Sequence, residues 1–132
     1  MKKQIARTDF YDIDVNEEIN HVYILFKNEW KKVTQVPNWI SDIEETVQYL
    51  KPGFTSLSDI SGMRPPSEEC HQNIVKTQGM FNDAGMKKQA LIVDRNTMDL
   101  IRKSRSAHKE LGTDEKMIQF DSWPEAEQWL DG

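Results

Sequence analysis

Apolar residues recur at every second position in some stretches of the chain and at every third or fourth position in others. The order of these stretches predicts the elements of the fold. Stretches in which apolar and polar residues alternate, or in which apolar residues run together over a few positions, predict β-strands. Five such stretches lie at 6–15, 21–26, 54–60, 89–93 and 117–120. The second and fourth, HVYILF and QALIV, are apolar on both faces, which is typical of strands inside a sheet.

Between the strands, apolar residues recur every three or four positions, which predicts amphipathic helices that lie on a core. The predicted helices span 36–50, 67–84, 97–111 and 122–130. Thr34 is the expected N-cap of the first helix, and Ser67 is the expected N-cap of the second. Ser122 and Glu125 form a capping box, in which each side chain satisfies a backbone N–H group of the other residue.

This order, ββαβαβαβα, predicts a single α/β domain over 1–132, with a mixed, mostly parallel five-stranded sheet and four helices. The short polar connection at 16–18 makes the first two strands an antiparallel hairpin, and right-handed crossovers join the others. The strand at 54–60 alternates polar and apolar residues, and Gln119 stands between two apolar residues of the last strand. We therefore expect one face of the sheet to be only partly covered.

Composition excludes several classes of function. The 22 acidic residues outnumber the 17 basic ones, and no basic cluster is longer than a pair, so a nucleic-acid surface is not expected. The longest apolar run, 22–26, is too short for a membrane span, and the polar start of the chain lacks the apolar core of a signal peptide. The single cysteine, Cys70, cannot form an internal disulfide, which agrees with a cytoplasmic location.

The junction between the third strand and the second helix is the first place to look for function. Its sequence runs from Asp59 through Ser61-Gly62 and Pro65-Pro66 to Ser67. In open α/β sheets, binding sites gather outside the carboxyl ends of the strands. The sequence therefore predicts that a ligand or a partner binds at this junction.

The element order and the sequence Asp59-Ile60-Ser61-Gly62 resemble the STAS domain of the bacterial anti-sigma-factor antagonists. The likeness is greatest to the SpoIIAA-like branch, which is often grouped with CRAL-TRIO lipid-binding domains, and it covers roughly 10–130. The resemblance implies a regulatory module without catalytic activity. In that family, a partner kinase phosphorylates a serine at the start of the helix after the third strand, and the phosphate abolishes docking.

Aligned without a gap, the position of that serine falls on Glu68, and a shift of one residue brings it to Ser67. Either Ser67 accepts a phosphate at the positive helix end, or Glu68 holds a permanent negative charge there. The alternative is that Ser67 is only an N-cap and that Glu68 and Glu69 respond to the helix dipole. The other residues of the predicted partner surface are Asp59, Ser61, Gly62, Met63, Arg64, Glu69 and Trp39.

Three aspartates, Asp59, Asp94 and Asp121, each stand at the carboxyl end of a predicted strand. On one rim of the sheet they could bind magnesium, or one of them could accept a phosphoryl group. The alternative is that Asp94 and Asp121 hold the turns that lead into the next helices. No histidine spacing fits a zinc site and no glycine-rich phosphate loop occurs, so no cofactor is expected.

Three functions from different classes remain open. The first is a non-enzymatic regulatory or protein-interaction module, whose partner is another protein or a second copy of the chain. The second is a domain that binds an apolar small molecule or lipid, in a cavity lined by methionines such as Met63, Met80 and Met86. The third is an enzyme built on the aspartate rim. The resemblance favours the first.

Overall fold

The computed structural model describes residues 2–93, 117–120 and 123–131. The strands are β1 (Lys2–Arg7), β2 (Tyr11–Asn16), β3 (His21–Asn28), β4 (Thr55–Met63), β5 (Lys88–Ile92) and β6 (Met117–Phe120). The α-helices in this part of the chain are α1 (Trp39–Gln48), α2 (Glu68–Asp83) and α3 (Trp123–Asp131), and a 3-10 turn spans Val33–Gln35. The predicted helix at 97–111 and the capping residue Ser122 lie outside the described residues.

All six strands form one mixed sheet in the order β1-β2-β3-β4-β5-β6. The two pairings at its amino-terminal side are antiparallel, and the three that join β3 to β6 are parallel. The α/β class, the antiparallel hairpin and the mostly parallel sheet are therefore confirmed.

Among the described residues the sheet has one strand more than we expected, because the predicted strand at 6–15 covers the end of β1, a turn and most of β2. Thr8 makes the turn between them: its side-chain oxygen accepts hydrogen bonds from the backbone N–H groups of Phe10 and Tyr11, at 3.1 and 2.9 Å. The chain thus reverses, and β1 pairs with β2 with a register shift between Gln4 and Ala6. The strand β1 was missed because its sequence, KKQIAR, is mostly polar.

The first helix begins three residues later than predicted. Its N-cap is Asn38, and Thr34 lies within the 3-10 turn. The cause is Pro37, since a proline disfavours the helical conformation of the residue before it, and Val36 has a φ of −128°. The predicted second helix is confirmed, with Ser67 as its N-cap.

The two faces of the sheet carry separate cores. The first face packs against α1 and α2 and contains the larger cluster, with aliphatic residues of β2 and β3 and the indole rings of Trp30 and Trp39. The second face packs against α3 through a smaller cluster: Tyr23, Leu57, Ala90, Ile92, Ala126 and Leu130. Among the described residues, no helix is both long enough and apolar enough to cross a membrane.

A partly buried hydrogen bond joins α1 to the first face. The hydroxyl of Tyr11 in β2 donates to Oδ2 of Asp42 in α1 at 2.6 Å. Burial raises the pKa of Tyr11 well above its usual value, and the hydrogen bond to Asp42 and the negative charge of that residue add to the effect. The tyrosine therefore stays protonated in the folded protein under ordinary alkaline conditions.

On the second face, the described residues of β1 to β3 are largely polar and pair with one another. Lys27 forms an ion pair with Asp12 at 2.9 Å, and Arg7 forms one with Asp14 at 2.7 Å. The helix α3 lies instead over β4, β5 and β6. That one face of the sheet is only partly covered stays a prediction, since residues 94–116 lie outside the described part of the chain.

Candidate functional site

The junction between β4 and α2 is held by backbone hydrogen bonds to the segment that follows β3. The strand β4 extends to Met63, three residues beyond its predicted end, because it continues to pair with β3 as far as Asn28. The N–H of Arg64 then donates to the carbonyl of Asn28 at 3.0 Å, and the N–H of Ser67 donates to the carbonyl of Trp30 at 2.9 Å. The start of α2 is therefore fixed relative to the sheet.

Ser67 is the N-cap of α2. Its backbone is extended, with φ −63° and ψ 165°, and its side-chain oxygen accepts a hydrogen bond from the N–H of Cys70 at 3.4 Å. The capping interpretation of Ser67 is thus confirmed, although the bond is longer than the typical range of about 2.7–3.2 Å. Whether Ser67 also accepts a phosphate stays a prediction.

Glu68 and Glu69 are both exposed in the first turn of α2, where the helix dipole favours negative charge. Glu68 accepts a hydrogen bond from the side chain of Gln72 at 3.1 Å, one turn further along the helix. Glu69 accepts one from the backbone N–H of Val33 at 3.3 Å, which links α2 to the 3-10 turn. Glu69 therefore links α2 to another element, whereas the hydrogen bond from Gln72 to Glu68 stays within α2.

Gly62 and Arg64 are exposed between the strand and the helix. The guanidinium of Arg64 lies 4.0 Å from the carboxylate of Glu29, which also lies 3.9 Å from Lys31. We use the term junction surface for five residues: Gly62, Arg64, Ser67, Glu68 and Glu69. Gly62, Arg64 and Glu69 are the exposed members of the predicted partner surface, and Ser67 and Glu68 are the two candidate switch positions. Ser61, which precedes them, is half-buried and is not included.

Asp59 faces the interior of the protein and joins two elements. One carboxylate oxygen, Oδ1, accepts hydrogen bonds from the N–H of Ser61 at 2.9 Å and from its hydroxyl at 2.6 Å. The other oxygen, Oδ2, accepts one from the indole N–H of Trp123 in α3 at 2.8 Å. Asp59 is only 7% exposed, so it supports the junction from within rather than contacting a partner directly.

Two predicted members of the partner surface, Trp39 and Met63, are buried. Trp39 is 1% exposed, and its ring lies 4.9 to 5.5 Å from those of Tyr11, Trp30 and Phe26. The reason is the phase of α1, whose buried positions are Trp39, Ile43 and Thr46. Met63 is buried because β4 continues along β3 to that residue. Neither side chain is available to anchor a partner.

The aspartate rim is only partly within the described residues, since Asp94 and Asp121 lie outside them. In residues 2–93, 117–120 and 123–131, no group of three or more histidine, cysteine, aspartate or glutamate side chains is arranged to hold a metal ion. Both oxygens of Asp59 already accept hydrogen bonds, which favours a structural role for this residue.

Two clefts on the surface are small. One, of about 300 Å³, lies beside the end of α1 and the turn between β2 and β3, and is lined by Glu17, Asn20, Gln48, Tyr49, Leu50 and Lys51. The other, of about 90 Å³, is lined by Ile19, His21, Tyr23 and Glu127. None of the described residues that line them is a methionine or a tryptophan, so neither cleft is the apolar cavity that lipid binding would need.

Sequence reasoning missed Trp123 as a partner of the junction. A tryptophan at the start of a helix, with an N–H that needs an acceptor, was the available signal. The bond itself joins residues 64 positions apart in the sequence, so it could not be read from local spacing.

Comparison with known proteins identifies the fold. The structure is similar to the crystal structure of an uncharacterised protein of the DUF3478 family from Shewanella loihica, which has a SpoIIAA-like fold. The TM-score is 0.69 at 15% sequence identity, over 95% of this chain and 97% of the other. No protein-family profile matches the sequence, and no curated protein matches it. The chain therefore has a SpoIIAA-like fold.

Proposed function

We propose that the chain is a non-enzymatic regulatory module that binds another protein through the junction surface. The observation that carries the proposal is the start of α2, where Glu68 and Glu69 are exposed beside the capping Ser67 on a backbone that hydrogen bonds hold to the sheet. The SpoIIAA-like fold supports the proposal, because the STAS domains that the sequence resembles are regulated at the start of the helix after the third strand.

The charges of the junction surface favour a partner with complementary polar groups. Arg64 contacts Glu29 only at 4.0 Å, and both side chains are well exposed. Exposed ion pairs of this kind contribute little to stability, because solvent screens them. Arg64 and Glu68 can therefore exchange their present contacts for contacts with a partner at small cost.

Exchange of the charges on this surface tests the site. The variant Arg64→Glu/Glu68→Lys reverses both exposed charges and keeps the net charge of the chain. As a matched control, Glu44→Lys/Lys51→Glu exchanges charges at exposed positions away from the junction, in α1 and after its end. A partner is first captured from the native cells with the wild-type chain, and its affinity for each variant is then measured by calorimetry.

We expect the junction variant to lose affinity by at least about tenfold, since charge complementarity governs specificity at such interfaces. The control should bind as the wild type does. Equal binding by the junction variant, or equal loss in the control, would contradict the proposed surface.

Phosphorylation is tested separately at Ser67. Ser67→Asp keeps a good N-cap and adds a negative charge, whereas Ser67→Ala removes the cap and costs about 1 kcal/mol of stability. If Ser67 is the switch, Ser67→Asp loses affinity for the partner while Ser67→Ala retains it, and denaturing mass spectrometry of the native protein finds phosphate on this residue. If both variants bind the partner as the wild type does, Ser67 is not the switch. Glu68, with its permanent charge, then corresponds to the phosphorylated serine of the family.

A further inference from the structure

We infer that Asp59 couples the junction to the carboxyl-terminal helix, so that a change at Ser61 alters how firmly α3 is docked on the sheet. The carboxylate of Asp59 is shared between two elements. Its Oδ1 atom accepts both hydrogen bonds from Ser61, and its Oδ2 atom accepts the bond from Trp123. The two oxygens belong to one rigid planar group, so they cannot move independently.

The burial of Asp59 makes its carboxylate sensitive to the loss of a hydrogen-bond donor. The side chain is 7% exposed, and a buried carboxylate depends on its hydrogen-bond donors because water is not at hand to replace them. When the hydroxyl of Ser61 is changed or engaged by another molecule, Oδ1 keeps only the backbone N–H of Ser61 as a donor, and the carboxylate turns to realign with it. Such a turn carries Oδ2 away from the indole N–H of Trp123.

Among the described residues, α3 is held on the sheet by the smaller apolar cluster and by polar and aromatic contacts near its two ends. Its amino-terminal end is held by the Asp59 bond and by the stacking of Trp123 on Tyr23, with ring centroids 6.1 Å apart. Its carboxyl-terminal end is held by Lys88, which donates to the carbonyl of Trp129 at 3.1 Å. Only the first of these attachments touches the junction, and the second serves as an independent reference.

The coupling supplies a means of regulation for the proposed binding site. A partner that binds the junction surface and also contacts the adjacent Ser61 loosens the amino-terminal end of α3, and by reciprocity a molecule that breaks the bond from Trp123 to Asp59 changes the junction. This use of the coupling rests on the proposed function, but the coupling itself is a property of the chain alone. It can therefore be tested without a partner, and its failure would leave the binding surface untouched.

Amide hydrogen exchange measures both directions of the coupling. Ser61→Asp places a negative charge beside Asp59, and we expect exchange in α3 to accelerate about tenfold or more, while the amides of α1 are unchanged. In the other direction, Trp123→Phe keeps the aromatic ring and removes the donor, and we expect faster exchange at the Ser61 amide. The control Lys88→Met should loosen α3 without changing the Ser61 amide.

Three outcomes would overturn the inference: unchanged exchange in α3 of a folded Ser61→Asp protein, an unchanged Ser61 amide in Trp123→Phe, or an equal response of that amide to Lys88→Met. If Ser61→Asp fails to fold, as acceleration throughout α1 would show, the decision rests on Trp123→Phe and Lys88→Met. The coupling then stands only if the Ser61 amide responds to the first variant and not to the second.

Discussion

The two faces of the sheet are built in different ways. On the first face, four aromatic rings from β2, β3, the segment after β3 and α1 pack together with centroids 4.9 to 5.8 Å apart. On the second face, a smaller apolar cluster is supplemented by polar bonds, of which those made by Asp59 and Lys88 hold α3. Ion pairs join β1 to β2 and β2 to β3 elsewhere on this face.

This difference separates stability from adaptability. A close-packed aromatic cluster resists change, because any displacement creates a cavity or a clash. A helix held by a few hydrogen bonds and a small apolar cluster can be displaced at lower cost, since regions with few buried contacts open first. We therefore expect the first face to carry most of the stability and the second to carry the response to partners.

Removal of a first-face aromatic ring should have the largest effect. Trp39→Ala leaves a cavity among Tyr11, Phe26 and Trp30, and we expect a loss of about 3–5 kcal/mol in the free energy of unfolding. Urea unfolding followed by circular dichroism measures it. The comparison is Trp129→Ala on the half-buried side of α3, and a larger loss there would reverse our assignment of the two faces.

A backbone position near the first-face helices comes next. Gly85 has a φ of +97°, and an added Cβ atom would lie 2.9 Å from the Cα atom of Pro52. We expect Gly85→Ala to cost about 3 kcal/mol from strain and overlap together. Gly53 has a similar φ of +90° but open space around it, so Gly53→Ala isolates the strain alone at about 1–2 kcal/mol. Equal losses in thermal unfolding would show that the overlap with Pro52 is relieved.

Truncation of an apolar side chain of α3 should cost less than the loss of Trp39. Leu130 is 7% exposed in the smaller cluster, and we expect Leu130→Ala to lose about 2 kcal/mol, at the lower end for such changes. Hydrogen exchange should show that the destabilised region is α3 while α1 keeps its protection. Uniform loss of protection would mean that the two faces unfold as one unit.

The smallest effect at neutral pH concerns Tyr11. Because its folded-state pKa is raised above the unfolded value of about 10, its contribution to stability is complete below that pH and declines above it, as the unfolded chain ionises first. Tyr11→Phe should lose about 1 kcal/mol at pH 7 and show a weaker fall in stability above pH ~10. If the free energy of unfolding fell equally with pH in the wild type and in Tyr11→Phe, the alkaline sensitivity would come from another group.

The sequence was sufficient to predict the elements that have a strong period. The strands at 21–26 and 117–120 and the helix at 67–84 are close to their observed bounds, because each combines an apolar pattern with a recognisable start or end. The strand β1 was not predictable in this way, since it is stabilised by pairing with β2 rather than by its own apolar residues. The pairing partner of a strand cannot be read from the local pattern of apolar and polar residues.

The β4–α2 junction that forms the candidate site was predictable from the sequence, but the burial and contacts of its side chains were not. The capping role of Ser67 follows from its place before two glutamates, and the structure confirms it. The burial of Met63 and Trp39 depends on the continued pairing of β4 and on the phase of α1, which local patterns do not fix. The bond from Trp123 to Asp59 depends on the position of α3, which no motif records.

The outer strand β1 has a consequence for the solubility of the chain. A strand at the side of a sheet offers unpaired backbone groups that can recruit other chains into aggregates. In β1, Lys2, Lys3 and Arg7 are exposed, and the register shift between Gln4 and Ala6 interrupts the regular ladder. Like charges on two such strands repel each other, so this side of the sheet discourages self-assembly into fibrils.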